Sequence, residues 1–182
     1  MQPRPETYIS VDVEASGPIP GEFSLLSIGA CVVGRTSQTF YAELKPINNN
    51  FIPRAMAVNR LSLDKLKKDG EAPAAAMARF AAWVTTAAAD TRPVFVGFNA
   101  TFDWSFTHWY FIKFLRVDPF GIAGLDIKSY FMGKHHSSWK ETVKKKVRAI
   151  YPSQTAHTHN ALDDAKEQAE IFAKMIAWLF RL

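Results

Sequence analysis

Residues 7–14, Thr-Tyr-Ile-Ser-Val-Asp-Val-Glu, alternate apolar and polar positions. A period of two predicts a strand with Ile9, Val11 and Val13 on one face and Ser10, Asp12 and Glu14 on the other. Gly17, Pro18, Pro20 and Gly21 mark a loop. Apolar runs over about 24–33 and 39–45 predict two more strands, with Gly34 to Ser37 as the hairpin turn between them. Residues 53–69 read as one or two short helices. Pro73 opens an Ala-rich helix to about Ala89, with Met77, Phe80, Val84 and Ala87 on its apolar face. Pro93 to Phe98 is a nearly all-apolar strand, as expected inside a sheet. An aromatic-rich helix follows to about Arg116. Residues 125–131 read as a short strand or a helix start, and helices are predicted over about 138–150 and 161–181. The last carries a buried stripe of Leu162, Ala165, Ala169, Phe172, Ile176 and Leu179.

A hairpin-rich start followed by alternating helix and strand predicts an α/β fold with a mixed sheet: the hairpin supplies antiparallel strands and the later crossovers parallel ones. Length and composition fit that picture. At 182 residues, 48% hydrophobic and 21% charged, the chain is expected to form one domain over 1–182 with a sizeable core. The one cysteine, Cys31, excludes an internal disulfide framework and a Cys-rich zinc site. Residues 1–6 are polar and Pro-rich, and no apolar run approaches a membrane span, so a soluble cytoplasmic protein without a membrane partner is expected. The net charge of +5 permits a polyanionic partner without requiring one.

Three short stretches carry candidate chemistry. Asp12 and Glu14 share a strand face, about 6.6–6.8 Å apart along the strand. Such a pair is either two harmless solvent-facing acids or half of a site for a hard cation. Asp103 follows the apolar strand within Phe98-Asn99-Ala100-Thr101-Phe102-Asp103, with Asn99 or Thr101 as the helix cap. Its charge is explained by the helix dipole, or by delivery to the rim where ligands gather if strands 7–14 and 93–98 are parallel neighbours. His159-Asn160-Ala161-Leu162-Asp163-Asp164 opens the final helix. Asn160 reads as the cap and Asp163 as its partner in a capping box. That places His159 and Asp164 at the two positions that pack together as a staple. His157 and His159 form a His-x-His pair, but no further nitrogen or sulfur ligand accompanies them to suggest zinc.

These motifs, in this order and on these elements, resemble the DEDDh 3′–5′ exonucleases of the ribonuclease-H-like superfamily, over about residues 7–175. Asp12 and Glu14 match the first motif, Asp103 the second, and His159 with Asp164 the third. Asn160 stands where a tyrosine variant would carry its Tyr. One departure is the Ala15-Ser16-Gly17 that follows the first motif, where a threonine usually follows the glutamate. The resemblance implies a five-stranded mixed sheet flanked by helices, and two Mg²⁺ or Mn²⁺ ions. Asp12 would bridge the ions, Glu14 and Asp164 would complete one site, and Asp103 would bind through water. His159 would act as general base. The implied partner is single-stranded nucleic acid with a free 3′ end, RNA or DNA, cleaved to nucleoside 5′-monophosphates. Several members of that family are homodimers, so the resemblance admits a homodimer without deciding the oligomeric state. Substrate contacts would fall on Ser16, Gly17, Leu25, Leu26, Asn99 and Phe102, with an apolar residue near Leu25 and Leu26 wedged against the terminal base. A metal-dependent nucleotide phosphohydrolase and a non-catalytic nucleic-acid-binding module are the competing functions.

Two further features keep two readings each. Phe102, Trp104, Phe106, Trp109, Tyr110, Phe111 and Phe114 crowd one helix, as core or as stacking surfaces. Lys140, Lys144, Lys145, Lys146 and Arg148 flank the apolar Val143, Val147 and Ile150, as a solvated face or as phosphate-steering charge. His135 and His136 have no assigned role.

Overall fold

The computed structural model describes residues 5–177. Five strands form one sheet in the order β3-β2-β1-β4-β5, namely β1 (Glu6–Ala15), β2 (Leu25–Val32), β3 (Arg35–Glu43), β4 (Arg92–Gly97) and β5 (Gly124–Asp126). The hairpin strands pair antiparallel, and β4 runs parallel to both β1 and β5. The helices are α1 (Pro53–Asn59), α2 (Leu63–Asp69), α3 (Pro73–Ala88), α4 (Ala100–Leu115), α5 (Ile127–His135), α6 (Lys144–Ile150) and α7 (Ala161–Met175), with a 3₁₀ turn at Trp139–Glu141. This is the ribonuclease-H-like five-stranded mixed sheet flanked by helices that the motifs implied.

The alternation in β1 sorts the core into two halves. Ile9, Val11 and Val13 join Ile28, Ala30, Phe80, Phe95, Phe106 and Phe111 on the face covered by α3 and α4. The other face holds Val96, Ile127, Phe131, Val147, Ile171 and Phe172 beneath α5, α6 and α7. Asp12 and Glu14 lie on that second face, opposite Gly29 and Ser27 of β2. A Cβ on Gly29 would stand 2.3 Å from the backbone of Ala161 and Leu162. The missing side chain therefore lets the start of α7 press directly on β2, beside Asp12.

Several boundaries differ from the sequence expectation for physical reasons. Gly34 adopts φ +81, so the hairpin turns at Val33–Gly34 and β3 begins four residues early. The helix expected over 138–150 is interrupted. Ser138 and Glu141 close a capping box around the 3₁₀ turn, Thr142 Oγ1 donates back to the Trp139 carbonyl, and Val143 is extended. Residues 125–131 contain both a strand and a helix start. Asp126 joins them, accepting from Ser129 N at 2.8 Å through one oxygen and from Ala100 N at 3.0 Å through the other. That second bond serves the start of α4, where Asn99 holds the cap position in a left-handed conformation without capping through its side chain. In α7, Glu167 and Gln168 are buried with the expected Ala165, Ala169, Phe172 and Ile176, while Leu162 is only partly so. Leu179 lies outside the described residues.

Candidate active site

The pairing of β4 with β1 stops at Ser10–Val96, so β1 runs on past its neighbour. Val13 N–H has no strand partner on that side and donates to Asp103 Oδ1 at 2.9 Å, reaching the first turn of α4. Asp103 is thereby fixed beside β1 with one oxygen engaged. From α7, Asp164 comes to the same place: carboxylate oxygens of Asp12, Glu14 and Asp164 all lie within 4.8 Å of one another. Three distant stretches thus converge at the carboxyl end of β1, where the reading of the motifs put them.

The electrostatic cost of that convergence is visible. Burial, and then the charges of Asp103, Asp164 and Glu14, hold the Asp12 carboxyl well above the usual range, with Lys144 opposing. Glu14 is pushed up to about 8 by burial and by Asp164 and Asp103. Burial pushes Asp103 to about 7 against the Val13 N–H bond. Partly buried acids this close stay charged at neutral pH only with positive charge among them. The donor set is all oxygen and suits a hard divalent cation of the magnesium or manganese kind, and the residues present fit such an ion.

Asp164 is oriented by its own segment. Its Oδ1 accepts Thr158 N–H at 2.9 Å and faces His157 Nδ1, also at 2.9 Å. His157 Nδ1 is also 3.3 Å from Glu167 Oε2 and 3.2 Å from Lys144 Nζ, so the imidazole sits inside the same charged cluster as Asp164. Glu167 is fully buried and holds Lys144 at 3.0 Å and Arg148 at 2.9 Å. The basic flank therefore divides: Lys144 and Arg148 turn inward to Glu167, while Lys140, Lys145 and Lys146 stay exposed.

His159 has φ +59, uncommon for a residue with a side chain, and is exposed. Its ring lies 4.5 Å from that of His157, centroid to centroid, and ligand atoms of His157, His159 and Asp164 fall within 4.8 Å of one another. The expected capping box does not form. Asn160 Oδ1 accepts from Leu162 N and Asp163 N, but Asp163 takes the Thr158 hydroxyl. The Thr158 hydroxyl, donating at 2.9 Å, occupies the Asp163 carboxylate that a capping box would turn back to the cap N–H.

The expected substrate contacts divide sharply. Leu25 and Leu26 are fully buried in β2, which is internal in the sheet and covered on both faces, so neither offers surface to a base. Ser16 is also fully buried, its hydroxyl bonded to Asn50 O and Ser24 N. Phe102 is partly exposed, and Gly17, though buried beside Phe23, borders the same groove. With Glu14, Ile52, Arg54, Val58 and Asn59 they line a groove of about 360 Å³. Asn99 is exposed at the start of α4, where its Oδ1 accepts from Lys128 at 3.4 Å.

Sequence reasoning missed Gln168, which is 1% exposed. Its Oε1 accepts Phe98 N–H at 2.8 Å and its Nε2 donates to Asp12 Oδ1. It also missed His157 as the neighbour of Asp164, and α1 as a wall of the groove. Gln168 stands four residues after Asp164 on the same helix face, the one available signal. Nothing in the local pattern marks α1.

The chain matches the model of the exonuclease family of ribonuclease T over residues 9–172. It is 50% identical over 173 residues to the 3′–5′ DNA exonuclease Cap18 of Escherichia coli, covering 94% of this chain and 92% of that protein. Among solved structures, it resembles the nuclease domain of 3′hExo, a DEDDh family member bound to rAMP. The TM-score is 0.74 at 14% identity, over 94% of this chain and 92% of the other. It also resembles E. coli Exonuclease I in complex with a dT13 oligonucleotide, with TM-score 0.73 at 16% identity, over 96% of this chain and 42% of that one. The match to the family model along nearly the whole chain, joined to the close relationship with a 3′–5′ exonuclease, establishes that this chain belongs to the exonuclease family of ribonuclease T and is a nuclease.

Proposed function

We propose that this enzyme removes nucleotides one at a time from the 3′ end of single-stranded DNA and releases nucleoside 5′-monophosphates. The observation that carries the reading is the convergence of Asp12, Glu14 and Asp164 within 4.8 Å, with Asp103 beside them. The choice of DNA follows the 50% identity to a DNA exonuclease.

In this reading Asp12, Glu14, Asp103 and Asp164 are the residues that would hold two divalent ions, Mg²⁺ or Mn²⁺. Such ions supply the positive charge that offsets the scissile phosphate and the charge building on the attacking and leaving oxygens. The terminal nucleoside lies in the groove beside Glu14, against Phe102, Ile52 and Val58, rather than against the buried leucines of β2. A water oxygen attacks phosphorus and the bond to the 3′ oxygen of the preceding nucleotide breaks. An imidazole nitrogen of His159 takes the water proton, for which its exposure and place near Asp164 suit it. His157 holds Asp164 from behind.

The test is incubation with Mn²⁺ and a 5′-labelled single-stranded DNA oligomer. A ladder shortening from the 3′ end is expected. Intact oligomer, with inorganic phosphate released from mononucleotides, would replace this reading with a nucleotide phosphohydrolase.

A further inference from the structure

We propose that Trp139 and Lys128 form a second nucleotide-binding position, where a base of the single strand upstream of the scissile bond stacks while its phosphate meets the lysine. This rests on the exonuclease reading and extends it to the part of the strand that is retained.

Among the described residues the aromatic rings are mostly packed in the core; the Trp139 indole is 52% exposed. It is nonetheless held in place. The 3₁₀ turn that begins with Trp139 is locked by Ser138 N and Oγ, each 3.0 Å from Glu141 Oε2. The buried Thr142 bonds its hydroxyl to the Trp139 carbonyl at 2.8 Å. A side chain presented to solvent on a fixed backbone loses less freedom when a ligand covers it.

Two contacts link this ring to the catalytic rim. Lys128 Nζ sits 3.9 Å over the indole and 3.4 Å from Asn99 Oδ1, and Asn99 begins the helix whose first turn carries Asp103. Lys128 and Trp139 belong to the segment after β5, at the sheet edge, whereas the groove beside Glu14 is built on the end of β1 and on α1. A strand with its 3′ nucleoside in that groove and its scissile phosphate at the carboxylates has its remaining length to place elsewhere on the rim. The charge there is favourable: Lys128 lies over the ring, the next residue in the chain, Lys140, is exposed, and Glu141 is bonded to Ser138 with its other oxygen 4.0 Å from Lys146. An indole face next to an ammonium matches the alternation of base and phosphate along a single strand, and is indifferent to sequence.

The experiment compares wild type, Trp139→Ala, Trp139→Phe and Lys128→Gln on single-stranded DNA of two and twelve nucleotides with Mn²⁺. Trp139→Ala is expected to raise KM for the 12-mer about 10-fold, as loss of one base–aromatic stack does. The rise on the dinucleotide should be far smaller, because that substrate does not reach the ring. Trp139→Phe should recover most of the loss. Lys128→Gln should lower the salt dependence of 12-mer binding by about 0.7 in the log–log slope, the release from one single-strand phosphate. Binding is also read by fluorescence anisotropy on the non-cleaving Asp12→Asn background, so that Trp139 reports on affinity even if turnover is absent. Equal 12-mer affinity with and without Trp139, or an equal effect on both lengths, overturns the proposal. A wild type that binds the 12-mer through Trp139 but does not shorten it overturns the exonuclease reading instead.

Discussion

Gln168 and Asp12, 156 residues apart, are joined by a hydrogen bond from Nε2 to Oδ1, and the orientation of the amide is set because Oε1 accepts Phe98 N–H. One oxygen of Asp12 is thereby engaged by a residue outside the acid cluster. The contact lies behind a putting-together of charges rather than within it, and such supports commonly tune the affinity of a metal site. Gln168→Met keeps the volume and removes the donor. It is expected to weaken Mn²⁺ binding about 10–100-fold by calorimetry. Unchanged affinity would show that Asp12 is oriented by other means.

The raised carboxyls make metal-free stability depend on pH with a definite sign. Glu14 titrates near 8 and Asp103 near 7 in the folded chain, against 4.5 and 3.8 as ordinary values. Between those limits the folded state binds more protons than the unfolded state, so stability falls as pH rises. The Tm in EDTA should therefore decline from about pH 5 to pH 8, with the loss essentially complete once pH passes the folded values. Saturating Mn²⁺ should flatten that decline, since the ion displaces the same protons and binds more tightly as pH rises. A metal-free Tm that rises over this range would contradict the buried, mutually repelling arrangement.

Asp12→Asn removes one of the repelling charges while keeping shape and a partner for Gln168. Cleavage of an end-labelled oligomer should be abolished, and the Tm in EDTA at pH 8 should rise above wild type. Loss of activity with a lowered metal-free Tm would mean that the variant had damaged the fold instead.

The two histidines should separate kinetically. His159→Ala should lower kcat by about 10²–10⁴-fold, the range for a lost general base, with metal affinity retained. His157→Ala removes a 2.9 Å partner of Asp164 and should act mainly on metal affinity, by about 10-fold. Calorimetry with single-turnover rates distinguishes the two; the reverse pattern would assign the base to His157.

Gly29→Ala touches no acid. Its Cβ would meet the Ala161 carbonyl carbon and Leu162 N at 2.3 Å, so the start of α7 must move and take Asp164 with it. A destabilisation of about 1–3 kcal/mol is expected from overpacking, by urea denaturation, together with lost activity. Wild-type rates in this variant would show that α7 tolerates displacement.

The sequence alone determined what is local or periodic. The period of two in β1 set Asp12 and Glu14 on one face, away from Ile9, Val11 and Val13. Asn160 declared the start of α7, and the order of three motifs carried the family. Those signals arise from backbone geometry within a few residues, which sequence spacing reports directly. Tertiary structure decided what depends on distant chain meeting. It showed that Val13 N–H, left over where β4 ends, holds Asp103. It showed that His157 rather than His159 is the direct partner of Asp164, that Gln168 reaches Asp12, and that α1 rather than the leucines of β2 lines the groove. Leu25 and Leu26 follow the first motif closely in sequence, yet an internal strand with both faces covered leaves them nothing to touch but the core. Burial and contact between separate elements are properties of the packed sheet, and no spacing along the chain encodes them.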